Sequence, residues 1–165
     1  MNPPQSKITR VKHKRRRDLA SIGLKLDITN VPNIVVETYI PYFEQLLDLL
    51  VSNCIKYSPK GGAIEISASI QGEVCKLFFS SIGPLVANHE KTYLGTKGFR
   101  SEAAKKLPVS GDGYGLFNVN RLADLIGAST SFNPQTRTTM DYGGVPFANF
   151  EVTISIPTTL KFKQS

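Results

Sequence analysis

The chain has 165 residues, 41% of them hydrophobic, with 20 Lys/Arg, 13 Asp/Glu and two cysteines. That supports one domain with one buried core, and no apolar run approaches the roughly 20 residues that a membrane span needs. The net charge of +7 is uneven: residues 1–17 hold seven Lys/Arg and no acid, and the remainder holds 13 of each sign, so the globular body is neutral and offers no basic nucleic-acid face.

In chain order, MNPPQSKITRVKHKRRRD is polar, Pro-containing and basic. No apolar segment follows its charges, so it does not read as a secretory signal. Its first part reads as disordered. Ile8 to Ala20 has a helical pattern whose charge run reads as a solvated face, the rival being an arm for nucleic acid or acidic lipid. Residues 1–20 are therefore set apart as a basic N-terminal arm or linker, and 21–165 as the folded domain. IGLKLDI (22–28) alternates as a strand does, and NIVVETYI (33–40) is a short β-branched run. PYFEQLLDLLVSNCIKY (41–57) is the clearest helix. Pro41 suits its first turn, and Phe43, Leu46, Leu47, Leu50, Val51, Cys54 and Ile55 recur at helical spacing until SPKGG stops it. AIEISASI (63–70) and VCKLFFS (74–80) form a hairpin across QGE.

Residues 81–112 show little periodicity, which marks a lid, placed at about 84–112, with a short helix around 100–106. LFNVNRLADLIG (116–127) is helical, with Leu116, Val119, Leu122, Ala123 and Ile126 inward and Gly127 as its stop. STSFNP (129–134) and NFEVTISIP (149–157) read as strands joined by a Thr/Gly-rich loop, 135–148. The fold class is α+β: an α/β sandwich with a mixed, mostly antiparallel sheet and helices packed on one face. Cys54 lies on an apolar helical face and Cys75 in a strand, with no metal-type spacing, so both read as reduced core residues of a cytoplasmic protein.

Two stretches carry chemistry. Asn53, Lys56 and Tyr57 are three and four residues apart and share one edge of their helix. Asn53 is either a C-terminal-turn cap or an oxygen ligand for a hard cation such as Mg²⁺, with Lys56 reaching a phosphate. In SGDGYGL, Gly111, Gly113 and Gly115 stand at a helix mouth, where glycine costs stability. Such a turn either hinges a lid or points backbone N–H groups and the helix dipole at an anion. It is not a Walker loop, because Leu116-Phe117 stands where Lys-Ser/Thr is needed, and its spacing is not that of the dinucleotide-binding turn.

LLVSNCIKYSPKGG resembles the N-box of the histidine-kinase/gyrase/heat-shock-chaperone/mismatch-repair ATPase superfamily. SGDGYGLFNVNRLADLIGAS resembles its second glycine box and the following helix. GFRSEAAKK is similar to the lid segment of sensor histidine kinases, and FEVTISIP to the closing strand. The resemblance covers roughly residues 20–157. It implies that Asn53 holds Mg²⁺, Lys56 contacts phosphate, Tyr57 lies by the nucleotide, and Arg100 is the lid's basic residue. Backbone groups of Gly113, Tyr114, Gly115 and Leu116 would cradle the phosphates of ATP, with Gly111 in the same box. Two departures stand out. Ser81 aligns with the Asp that accepts from the adenine amino group, with Gly83 at the following glycine; a lost charge-assisted bond there costs on the order of 1–3 kcal/mol. Leu49 stands where gyrase-like members carry a catalytic Glu, and Asp48 is about 100° around the helix, so simple ATP hydrolysis is disfavoured.

The implied function is the ATP-binding catalytic domain of a sensor histidine kinase. It would present the γ-phosphate of Mg-ATP to a His on a separate dimerisation hairpin, with a response regulator downstream. ITRVKHKRRRDLASIGLKLDI resembles the helix that leaves that hairpin, so the chain reads as a fragment of a longer kinase. Neither His13, in the charge run, nor His89, in the lid, reads as the phosphoacceptor. The alternatives are a degenerate, non-catalytic member acting as a protein-binding regulatory module, and an anti-sigma-factor-like serine kinase.

Overall fold

The computed structural model describes residues 4–28, 31, 36–109 and 111–158. Its helices are α1 (Pro4–Lys14), α2 (Arg16–Ser21), α3 (Ile40–Tyr57), α4 (Glu102–Lys105) and α5 (Gly115–Leu125). The strands are β1 (Lys25–Ile28), β2 (Ala63–Gln71), β3 (Val74–Pro84), β4 (Ser129–Pro134), β5 (Met140–Tyr142) and β6 (Val145–Pro157). They form one mixed sheet in the order β1-β2-β3-β6-β4, with β5 also paired to β6. Among the described residues only β1 and β2 run parallel, joined by the crossover through α3; the other pairings are antiparallel.

The register explains the core. Ile28, Ile66, Phe79, Val152 and Phe132 are successive cross-strand partners, so one apolar row crosses all five strands of the main path. Phe43, Leu46, Leu47 and Leu50 of α3 and Val119, Leu122 and Ala123 of α5 bury themselves in the same cluster as this row. This is the α/β sandwich that the sequence pattern predicts.

Three local expectations change. The N-terminal segment is helical from Pro4 and is docked on α3. Ile8, Val11 and Leu19 are buried in the main core. Lys7 and Arg10 pair with Glu44, and Lys14 and Arg15 with Asp48. The basic face is thus not simply solvated, because Glu44 and Asp48, one turn apart on α3, form an acidic track along it. The strand expected over 22–28 begins at Lys25, since α2 runs to Ser21 and Gly23 turns the chain at a φ of +63°. The expected loop 135–148 contains a hairpin: Gly143 and Gly144 both have positive φ, the geometry of a two-residue turn, and Tyr142 pairs with Val145. β6 consequently starts at Val145 rather than 149. Of the NIVVETYI run, residues 33–35 lie outside the described residues; in the rest Val36 is fully buried and Ile40 already opens α3.

The lid region is built as well as long. β3 continues to Pro84, a 3-10 turn covers Asn88–Tyr93, and α4 falls where a short helix is expected. The Glu90 carboxylate is buried and accepts from the backbone N–H of Ala87 at 3.0 Å and of Glu102 at 2.9 Å. It therefore ties the 3-10 turn to the start of α4. His89 beside it is exposed, as is His13 on α1, where it faces the Arg16 guanidinium at 3.0 Å.

Candidate nucleotide pocket

A cleft opens between the C-terminal half of α3, the end of β3, the middle of β6, the lid, and the mouth of α5. Asn53, Tyr57, Ser81, Gly83, Arg100, Gly113, Gly115 and Leu116 line it, eight of the residues singled out from sequence. No Asp or Glu is among the described lining residues, and the wall is largely apolar.

At one end, α3 meets the glycine stretch. A Cβ on Gly115 would lie 2.9 Å from Asn53 Oδ1. A Cβ on Gly111 would collide with Lys56 Nζ and lie 3.2 Å from the Tyr57 hydroxyl. Lys56 and Gly111 thus sit together at the rim, with the Lys56 ammonium 5.2 Å from the Tyr57 ring centroid. Gly113 has a φ of +78° and packs against the backbone of Gly98 and Phe99. The absent side chains at 111, 113 and 115 let the α5 mouth approach both α3 and the lid. Within α5 the first-turn N–H groups of Gly115 and Leu116 have no carbonyl four residues back to bond, so the mouth presents donors and the positive end of a dipole.

Of the predicted residues, Lys56, Gly111 and Tyr114 are not among those that line the cleft, and Tyr114 and Arg100 make local contacts of their own. The Tyr114 N–H donates to Asp112 Oδ1 at 3.2 Å, and the Tyr114 ring packs edge-on to Phe117 outside the pocket lining. Arg100 clasps the ends of its own segment, donating to the carbonyls of Ala104 at 3.0 Å and of Val109 and Gly111 at 3.3 Å. Arg100 also lines the cleft, and its Nε is buried with no hydrogen-bond partner among the described residues. An unpaired buried donor on a cation is costly.

At the other end the cleft is floored by the sheet. Ser81 is buried on the same face of β3 as Phe79, beside Phe150 on β6. The Cys54 thiol donates to the Ser81 hydroxyl oxygen at 3.5 Å. Burial pushes that thiol up to about 11, against the opposing effect of the Ser81 bond. Cys75 is also raised by burial, and both cysteines are free. Sequence reading took Cys54 as core and missed its place in the pocket. The signal was available: Leu50, Cys54 and Tyr57 recur at helical spacing, so a pocket touching Tyr57 also touches Cys54. Leu94 and Phe99, from the lid, close over the cleft and had no periodic signal.

Asp48 does not face this cleft. It is held by Arg15 Nε and Nη2, each at 2.8 Å, and Leu49 packs against the core. Among the described residues no cluster of three or more His, Cys, Asp or Glu is arranged for a metal.

Signal transduction histidine-protein kinase BaeS of Escherichia coli (strain K12) is 30% identical over 101 residues, which is 61% of this chain and 22% of that protein. An uncharacterised sensor-like histidine kinase of Rhizobium meliloti (strain 1021) is 32% identical over 89 residues, 54% of this chain and 17% of that one. The chain therefore spans about a fifth of the length of the curated relatives it matches. The catalytic domain of histidine kinase ThkA superposes with a TM-score of 0.72 at 16% identity, over 97% of both chains. The mycobacterial sensor histidine kinase MprB gives 0.66 at 19% identity, over 94% of this chain and 98% of that one. At such identities these two likenesses speak for the fold. The sequence match extends over residues 39–159, from the start of α3 past the end of β6, and with it the chain belongs to the family of histidine kinase-, DNA gyrase B- and HSP90-like ATPases.

Proposed function

We propose that this chain is the catalytic unit of a sensor histidine kinase, holding Mg-ATP in the cleft and offering its γ-phosphate to a His on a separate helical hairpin in the cytoplasm. The observation that carries the reading is the meeting of α3 with the α5 mouth: Asn53 against Gly115, and Lys56 against Gly111. The phosphates would lie there, on the α5 N–H donors, with Lys56 and the unpaired Arg100 Nε as cationic partners. The residues fit a magnesium ion carried mainly by phosphate oxygens, with Asn53 Oδ1 as the protein ligand, since no all-protein cage is built among the described residues. When bound, the ion supplies charge neutralisation on the phosphates. The chain's own contribution is positioning, which suits phosphoryl transfer to an outside acceptor. With Asp48 turned to Lys14 and Arg15 and Leu49 packed against the core, no carboxylate from this part of α3 serves to activate water. The partners are then the His-bearing hairpin domain and a response regulator.

A second reading is favoured by one observation: Ser81, not an acid, stands on the floor of the cleft. On that reading the domain is a regulatory module that binds protein and does not catalyse. Calorimetry on the full chain separates the two. Mg-ATP is expected to bind, and Asn53→Ala to weaken Mg-dependent binding at least about tenfold. Unchanged binding by Asn53→Ala removes the metal role, and no binding at millimolar nucleotide favours the regulatory module.

A further inference from the structure

We infer that the floor of this cleft does not choose between 6-amino and 6-oxo purines, so that the site takes purine nucleoside triphosphates as a class rather than ATP alone. The inference rests on the nucleotide reading above and concerns the end of the cleft away from the glycines. A planar base belongs there: Leu50 and Cys54 of α3 and Phe79, Phe150 and Val152 of the sheet line that end of the cleft.

What decides base identity in such a slot is its few polar groups, and here they are ambivalent. Ser81 is buried, and its oxygen accepts from the Cys54 thiol at 3.5 Å. The thiol stays protonated at neutral pH, being raised to about 11, so it remains the donor of that pair. Ser81 therefore keeps its own proton to give and a second lone pair to offer. Ser58, which also lines the cleft, has a buried hydroxyl oxygen with no hydrogen-bond partner among the described residues. It too can donate or accept. No carboxylate lines the cleft among the described residues.

The difference matters because selectivity owes much to repulsion of the wrong ligand. A carboxylate only accepts: it rewards an exocyclic amino group and repels an oxo group. A hydroxyl rotates to meet either. Adenine would bond to the Ser81 lone pair, and hypoxanthine or guanine would take the Ser81 proton on O6. Space for a larger purine is open at Gly83, where a Cβ would meet nothing within 4 Å.

The test is calorimetry on the full chain with the Mg²⁺ complexes of ATP, ITP and GTP. ITP is the sharper probe, because inosine departs from adenosine only around position six. ATP and ITP are expected to bind within about threefold of each other. Ser81→Asp, checked for folding by circular dichroism, is expected to favour ATP over ITP by about tenfold or more. Ser81→Ala, which keeps the site uncharged, is expected to weaken both several-fold and leave their ratio unchanged. A wild-type preference for ATP over ITP of tenfold or more overturns the inference and leaves the nucleotide reading standing. Full affinity for both in Ser81→Ala also overturns it, since Ser81 would then not touch the base. If none of the three triphosphates binds at millimolar concentration, the nucleotide reading falls and this inference with it.

Discussion

Gly113 is held by two separate demands. Its φ of +78° is a left-handed conformation, and a Cβ there would lie 2.5 Å from the Gly98 carbonyl carbon and 2.8 Å from the Phe99 oxygen. Gly127, at the end of α5, has a φ of +70° but nothing within 4 Å of its Cβ position. The pair separates backbone strain from crowding. Gly127→Ala should cost about 1–2 kcal/mol, the strain alone. Gly113→Ala should cost about 2–4 kcal/mol, strain plus overpacking, and should weaken Mg-ATP binding as the lid is pushed off the α5 mouth. Urea denaturation of the two variants measures the difference, and equal costs would mean that the 98–113 approach is not tight. At this scale the sequence was informative. The spacing of Asn53, Lys56 and Tyr57 and the alternation of glycines are local geometry, visible without a fold. The Cys54–Ser81 pair was not visible, because 27 residues and the whole of β2 separate its partners.

Among the elements, α1 is where pattern reading fell short. Seven basic residues dominate its segment and hide a two-residue apolar stripe, Ile8 and Val11, which lands on α3 with 1% and 4% exposure. A stripe that short gives almost no periodic signal; it acquires meaning from the surface it meets. Ile8→Ala should destabilise the chain by about 2–4 kcal/mol, the cost of an emptied core position. A solvated helix would lose nothing from the same change and would gain a little from the helix propensity of alanine. The thermal midpoint decides between them. The β5–β6 hairpin is the opposite case. Gly143-Gly144 is a two-residue turn signal, but β5 spans only Met140–Tyr142, all exposed, too short and too polar a strand to stand out.

For the whole molecule, charge links the N-terminal helices to the domain. The Asp48 carboxyl lies below its ordinary 3.8, chiefly through the Arg15 hydrogen bond and then Lys14, with burial opposing. Glu44 lies below its ordinary 4.5, chiefly through the Lys7 hydrogen bond. Because both values are lowered by folding, their stabilisation is present in full above the ordinary values and is lost as pH falls through the lowered ones. Both side chains are partly exposed, 19% for Asp48 and 29% for Glu44, so each cluster contributes only about 0.5–1 kcal/mol and less in salt. The urea midpoint should therefore decline from about pH 4.5 downward, and Asp48→Asn should flatten that decline. A decline of unchanged slope in Asp48→Asn would assign it to general repulsion among the 20 Lys/Arg instead.

Local periodicity determined α3, α5 and the β2–β3 hairpin, and motif order determined the family, because both are written in near neighbours along the chain. The tertiary structure decided what those segments face. It set Asp48 against Arg15 rather than the cleft, closed Arg100 onto backbone carbonyls, folded the basic arm onto α3, and brought Cys54 to Ser81. All but the Arg100 bonds join groups on different elements, so they depend on sheet register and helix packing, which follow from burying the whole apolar row at once rather than from any one segment.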